Sequence, residues 1–232
     1  ECERKPDLAC QLNTLLPDRL AKLTCDFGIK LLHVSSATVF DGKRGDYKET
    51  DSPNPLSTYA RTKWEGEKSV LSQNPDSLVA RVSIYGWSPS GKRSLAEFFF
   101  NNLQKGTTVK GFEDVIFCPL LVNILADIFM KLIEGGSKGL FHVTSSSCLT
   151  KYKFGCQIAD HFGFDRKLIQ PASVDEINFL GARSHKLNLN NAKLINELGL
   201  KKEELSTGLN RFFRLYQQGY PQFMQSLFET NV

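Results

Sequence analysis

The chain has 232 residues, of which 41% are hydrophobic and 23% charged, and it carries a net charge of +4 at neutral pH. That is ordinary globular composition, long enough to bury a substantial core, and no basic run is dense enough to argue for nucleic acid. No apolar stretch approaches the roughly twenty residues that span a bilayer, and no signal-peptide pattern opens the sequence.

Taken in order, the first helical pattern covers 6–13, with Pro6 at an early position, Asp7 in the first turn and Leu8 and Leu12 one turn apart. Pro17 restarts a second helix to Asp26, with Leu16, Leu20 and Leu23 on one side and Gly28 as its C-cap. An apolar run over 29–35 reads as a buried strand that ends at Ser35-Ser36-Ala37-Thr38-Val39-Phe40-Asp41-Gly42. After a polar loop with Pro53 and Pro55, a helix capped by Ser57 or Thr58 runs through Tyr59, Lys63 and Lys68 to about Gln73, where Asn74-Pro75 breaks it. Residues 78–83 form the next strand, 95–104 a helix with Leu95, Phe98, Phe99 and Leu103 on one stripe, and 115–122 an extended segment. Asn123 caps a helix over 123–134 that Gly135-Gly136 stops. A strand over 140–143, in which His142 reads as structural, precedes a capped helix over 150–161 and two last helices over 190–198 and 206–217. The six cysteines (Cys2, Cys10, Cys25, Cys118, Cys148, Cys156) include no Cys-x-x-Cys pair and read as buried thiols in a reducing compartment, so the expected location is cytoplasmic.

One block carries chemistry. Tyr59 and Lys63 are four residues apart and share a helix face, while Ser36 stands at the carboxyl end of a strand, where open parallel sheets bind ligands. A free phenol has a pKa near ~10, and a positive charge one turn away is expected to pull it down so that the group exchanges protons near neutrality. A competing motif, Gly86 to Gly91-Lys92, has phosphate-loop spacing after a strand and before a helix. It fails in detail: Arg93 stands where a magnesium-binding hydroxyl is needed, and Pro89 removes an amide from the loop.

The block resembles the extended, sugar-nucleotide-modifying branch of the short-chain dehydrogenase/reductases, and most of all the dTDP-4-dehydrorhamnose reductases. Their Val-Phe-Asp-Gly, Glu-Thr-Asp and Pro-Leu elements are matched here by Val39-Phe40-Asp41-Gly42, Glu49-Thr50-Asp51 and Pro55-Leu56. The resemblance implies an α/β fold with a Rossmann-like, doubly wound parallel sheet and a smaller substrate-binding part near 85–119 and 145–217, within one domain over 1–232. It implies an NAD- or NADP-dependent reductase of a 4-keto sugar nucleotide, with Ser36, Tyr59 and Lys63 catalytic. Ser35, Tyr59, Lys63, Ser83 and Ile84 would meet the cofactor, and Ser36, Trp87 and Arg183 the substrate. Arg183 lies in a segment similar to the family's late Arg-Pro-x-Asn and suits a diphosphate, because guanidinium offers a planar fork of donors. No metal, membrane or nucleic-acid partner is implied; a homodimer is compatible.

No Gly-x-Gly-x-x-Gly follows a strand anywhere in the sequence, and its opening residues resemble the middle of a reductase. The expectation is a fragment without the first, Gly-rich βαβαβ half. Ala37-Thr38 after Ser36 is closer to sugar epimerases, so epimerase and dehydratase remain alternatives. So does a non-catalytic subunit like the regulatory one of methionine adenosyltransferase, which shares the Val-Phe-Asp-Gly and Tyr-x-x-x-Lys blocks.

Overall fold

The computed structural model describes residues 1–200 and 204–229. In chain order the strands are β1 (Leu32–Ser36), β2 (Leu78–Val82), β3 (Ile84–Tyr85), β4 (Val109–Phe112), β5 (Ile116–Phe117), β6 (Leu120–Leu121), β7 (Gly139–Val143), β8 (Leu149–Thr150) and β9 (Ile169–Ala172). The helices are α1 (Pro6–Cys10), α2 (Leu16–Asp26), α3 (Thr58–Gln73), α4 (Leu95–Gln104), α5 (Val122–Glu134), α6 (Lys151–Phe162), α7 (Ala192–Leu198), α8 (Leu205–Gln217) and α9 (Tyr220–Glu229).

β1, β2 and β7 form a parallel sheet in that order, with Ser35 opposite Arg81 and Arg81 opposite His142. Helices cover both faces, which makes the sheet doubly wound. Ala21 of α2 and Val70 of α3 pack on Val79 from one side. Leu125, Ile128 and Leu132 of α5, with Leu194 of α7, pack on Leu78, Ala80, Val82 and Phe141 from the other. Burial on both faces explains why β2 reads as a continuous apolar run rather than an alternating one.

Two helices are expected before β1, but α1 and α2 form one helical run joined by a π turn over Gln11–Leu15. The α-helical partner of the Asn13 carbonyl would be the amide of Pro17, which has no hydrogen, and the widened turn absorbs that defect without breaking the helix. Leu16, Leu20 and Leu23 do share one side, yet they are 43–53% exposed, and Pro17 and Ala21 are the buried residues. At the end of α2, Gly28 takes a φ of 64° while Ile29 N–H donates to the Thr24 carbonyl, the left-handed stop its position predicts.

A second, aromatic core gathers Tyr85, Trp87, Phe99, Phe100, Phe154 and Phe212 beside the sheet. The helix over 95–104 forms as expected, started by a capping box between Ser94 and Glu97. Asn123 is not a cap: α5 begins at Val122, with no side chain capping it. The cysteine expectation also needs correction. Cys118 and Cys148 form a disulfide across the β5–β8 pair, and Cys25 is exposed. Its partners lie 30 residues apart in sequence, so nothing in their spacing announces the bond. No described helix is long and apolar enough to cross a membrane.

Candidate active site

The site is assembled where β1 ends and α3 begins. Ser57 Oγ accepts from Ala60 N–H at 3.2 Å and caps α3. The Glu3 carboxylate accepts from Thr58 N–H (2.6 Å) and Thr58 Oγ1–H (2.7 Å). A hydroxyl and a carboxylate thus satisfy the free amides of the first turn, and the negative charge sits at the favourable end of the helix dipole. Tyr59 follows immediately, and its position inherits that anchoring.

Ser36 caps a short 3-10 turn at the carboxyl end of β1, its Oγ accepting from Thr38 N–H at 3.2 Å and lying 2.9 Å from Thr38 Oγ1. The Ser36 side chain lies beside the Tyr59 phenol, close enough to pull its pKa down. Lys63 Nζ donates to the Val34 carbonyl at 2.6 Å, beside Ser36 on β1. The expected trio therefore comes together. The expected electrostatics differ: the Tyr59 phenol is pushed above its usual range by burial, with the Ser36 side chain pulling the other way. Lys63 is not among its perturbing groups, because the ammonium is turned toward Val34. Burial holds the Lys63 ammonium below its usual range, with Glu67 opposing.

Tyr59 opens on a cleft of about 450 Å³ that Lys151 and Arg183 also line. A second cavity of about 380 Å³ shares Lys151, Phe179 and Arg183 with it and is lined further by Phe98, Phe99 and Phe112. The two cations are packed on aromatic faces, Arg183 4.7 Å from the Phe179 centroid and Lys151 5.7 Å from that of Phe112. Burial and then the neighbouring Arg183 charge hold the Lys151 ammonium below its usual range. Among the described residues neither cation has a carboxylate within ion-pair distance. Two adjacent cations without an ion-pair partner make this part of the lining locally positive, while Glu1 and Glu3 line the same cleft.

Of the expected site residues, Tyr59 and Arg183 line the cleft, Ser36 and Lys63 stand behind Tyr59, and Ser83 and Ile84 follow β2 next to the Ser36 end of the sheet. Two expectations fail. Ser35 is 3% exposed and its hydroxyl is committed to Glu67, so its side chain faces the interior and not a cofactor. Trp87 is 6% exposed, stacks on Phe212 at 4.2 Å and donates its indole N–H to the Phe212 carbonyl, so it belongs to the aromatic core. Lys151, Glu3 and Glu67 were not foreseen. Lys151 had one readable signal: a lysine in the first turn of α6 sits at the wrong end of the helix dipole.

A serine at the end of a parallel strand, with Tyr-x-x-x-Lys on the next helix of a doubly wound sheet, defines the short-chain dehydrogenase/reductase class. Within it, the chain belongs to the family described as RmlD substrate binding domain, whose model matches residues 1–218. It is 32% identical over 212 residues to the probable low-salt glycan biosynthesis reductase Agl14 of Haloferax volcanii, covering 90% of this chain and 71% of that protein. It is 34% identical over 178 residues to methionine adenosyltransferase 2 subunit beta of Bos taurus, covering 73% of this chain and 53% of that one. Against that subunit the chain spans about half the relative's length. Among solved structures, a dTDP-4-dehydrorhamnose reductase from Clostridium acetobutylicum superposes with a TM-score of 0.86 at 27% identity, covering 93% of this chain and 76% of that one. The fold is shared equally by the Bacillus anthracis dTDP-4-dehydrorhamnose reductase solved with NADP, at TM-score 0.86 and 24% identity, over 91% of this chain and 75% of that one.

Proposed function

We propose that this chain is the reacting and substrate-binding part of an NAD(P)-dependent reductase acting on the keto group of a sugar nucleotide. The observation that carries the reading is Tyr59, beside the Ser36 hydroxyl, lining a cleft that Lys151 and Arg183 line as well. Those cations suit a diphosphate, Arg183 through its planar fork and Lys151 as a point charge.

The chain's residues fit a nicotinamide nucleotide at this place. Val34 and Ile84 leave apolar surface open, 38% and 44% exposed, at the carboxyl end of the sheet. Lys63 uses one of its donors on Val34, which leaves two for ribose hydroxyls. When bound, the reduced nicotinamide supplies the hydride. The protein's part is to hold the carbonyl and give it a proton. Ser36 Oγ, supported by Thr38, hydrogen-bonds the substrate oxygen, and Tyr59 O–H transfers its proton to that oxygen as it becomes a hydroxyl. Burial keeps Tyr59 protonated at neutral pH, and the Ser36 hydroxyl, which pulls the phenol pKa back down, eases transfer of the proton. Aromatic walls in the second cavity, next to the cations, give the remainder of the nucleotide a place to lie.

A second reading rests on the methionine adenosyltransferase relatives: a binding subunit in which the same cleft holds a nucleotide without turnover. One experiment separates the two. Incubated with NADPH and dTDP-4-keto sugars, the protein should oxidise NADPH, and Tyr59→Phe should lower turnover by about 10²–10⁴ while leaving the fold intact. No NADPH oxidation by the parent, together with copurification with an adenosyltransferase, would replace the enzyme reading with the subunit reading.

A further inference from the structure

A buried ion pair lies under the site. Glu67 is 3% exposed and Arg81 2%. Arg81 Nη2 donates to Glu67 Oε2 at 2.7 Å and its Nε to both carboxylate oxygens at 2.9 and 3.1 Å. Ser35 Oγ donates to Glu67 Oε1 as well. Ser35, Arg81 and His142 stand opposite one another across the three strands, so Glu67 reaches down from α3 onto a polar row that crosses the whole sheet. The row is closed at its far end. His142 Nδ1 lies 3.1 Å from the Asn190 carbonyl and its Nε2 lies 3.4 Å from Arg81 Nη1. Nδ1 therefore carries the proton, and Nε2 offers a lone pair to the guanidinium.

A buried ion pair is weak evidence for stability, since desolvation cancels most of its attraction. Its geometry points elsewhere. Tyr59, Lys63 and Glu67 follow one another at single helical turns along α3. Lys63 grips the Val34 carbonyl and Glu67 grips the next residue, Ser35, whose neighbour is Ser36. Both grips fall within the three residues of β1 that end in the reacting hydroxyl. Resting on the reading of Ser36, Tyr59 and Lys63 as the reacting group, we propose that Glu67 and Arg81 are positioning residues: the pair fixes the rotation and height of α3 on β1 and sets a negative charge one turn from Lys63. The helix cannot slide along the strand without breaking bidentate bonds to a guanidinium that is itself held from β7, and the Ser36–Tyr59 contact follows from that register. Facing Lys63 are Tyr59 and Glu67 from its own helix and His33 from β1, which burial and then the Lys63 charge keep neutral, its pKa pushed down to about 4. Glu67 is the only anion among them, and it supports the ammonium against burial.

The test uses the whole chain and three variants. Glu67→Gln/Arg81→Met removes both charges at similar volume, and circular dichroism establishes that it folds. The Lys63 side-chain NMR signal, assigned by its absence in Lys63→Arg, should titrate about one pH unit lower in the double variant than in the parent. Turnover with NADPH and the keto sugar nucleotide should fall at least tenfold while KM stays within about twofold, as expected when an interaction supports the reaction and not ground-state binding. A folded double variant with the parent's Lys63 titration and the parent's kcat overturns the proposal. If that variant does not fold, Ser35→Ala decides, because it removes one bond to Glu67 and leaves both charges: lower kcat at unchanged KM supports positioning, and parental kcat overturns it. A parent that turns over no sugar nucleotide sinks the reductase reading alone, and the Lys63 titration still decides the role of the pair.

Discussion

Gly66→Ala is the sharpest test of how the helices are fitted around the site, because two physical effects of opposite sign compete. In an exposed helix interior the change adds about 1 kcal/mol of stability, since alanine loses less backbone freedom than glycine. Gly66 is buried, and a Cβ built on it falls 2.1 Å from the Asn13 carbonyl oxygen of the π turn. That oxygen belongs to backbone, so α3 and the first helical run must separate by more than an ångström before an ordinary contact is reached. Overpacking of this kind costs about 1–3 kcal/mol. The separation also breaks the bonds that close the same junction, Asn13 Nδ2 to Thr62 Oγ1 at 3.1 Å and Thr14 Oγ1 to the Thr62 carbonyl at 2.9 Å. At about 0.5–1.5 kcal/mol each, the net loss is on the order of 1–5 kcal/mol after the propensity gain. For a chain of this size each kcal/mol lowers Tm by about 2–4 °C, which differential scanning calorimetry resolves easily. Turnover should fall along with it, because Thr62 and Lys63 are adjacent. A Gly66→Ala protein with unchanged or raised Tm would show that helix propensity wins and that the contact with the π turn is unimportant.

Other outcomes follow from the same geometry. Ser36→Ala removes the hydroxyl that opposes burial at Tyr59, so the phenol should titrate higher still, seen as an alkaline shift in the 295-nm absorbance difference against Tyr59→Phe. Lys151→Ala and Arg183→Ala should each raise KM for a sugar nucleotide by about tenfold or more, a charge-assisted contact being worth about 1.5–3 kcal/mol, while NADPH affinity holds; unchanged kinetics in both would remove the anion subsite. Acid should destabilise the fold in a defined window. His142 and His33 have folded pKa values pushed down from 6.5 to about 3 and about 4, chiefly by burial. Below pH 6.5 the unfolded chain binds protons that the native one refuses, so stability falls with pH by about 1.4 kcal/mol per unit for each ring, until pH passes the folded values. Urea titrations from pH 7 to pH 4.5 should show this slope, reduced by about half in His142→Gln.

The sheet and the grouping of Ser36, Tyr59 and Lys63 were legible because their signals are local. Strands β1, β2 and β7 read as short apolar runs, α3 carries its own serine cap, and Tyr-x-x-x-Lys needs only the helical repeat to put both groups on one face. What stayed hidden depends on long-range partners. Trp87 looks like a cleft residue until Phe212, far along the chain, is seen to stack on it. Ser35 and Ser36 are chemically the same, and only the alternation of β1 over the sheet decides that one turns inward to Glu67 and the other meets Tyr59. The direction of the Tyr59 perturbation is hidden in the sequence for a similar reason. Spacing gives the distance along a helix, but the Val34 carbonyl that takes the Lys63 ammonium belongs to another element.

The strand β5 joins the two cations of the cleft through backbone alone. Ile116 pairs with Thr150, just before Lys151, and Lys151 N–H donates to the Val115 carbonyl. On its other edge Ile116 N–H donates to the His185 carbonyl and its own carbonyl accepts from Leu187 N–H, a few residues beyond Arg183. The segments that carry both cations thus hang from a single short ladder, braced by the Cys118–Cys148 bond at its end. Opening that ladder is one event, so the amides of Ile116, Lys151 and Leu187 should exchange with deuterium at a common rate. An anion that touches only the Lys151 and Arg183 side chains should slow all three together.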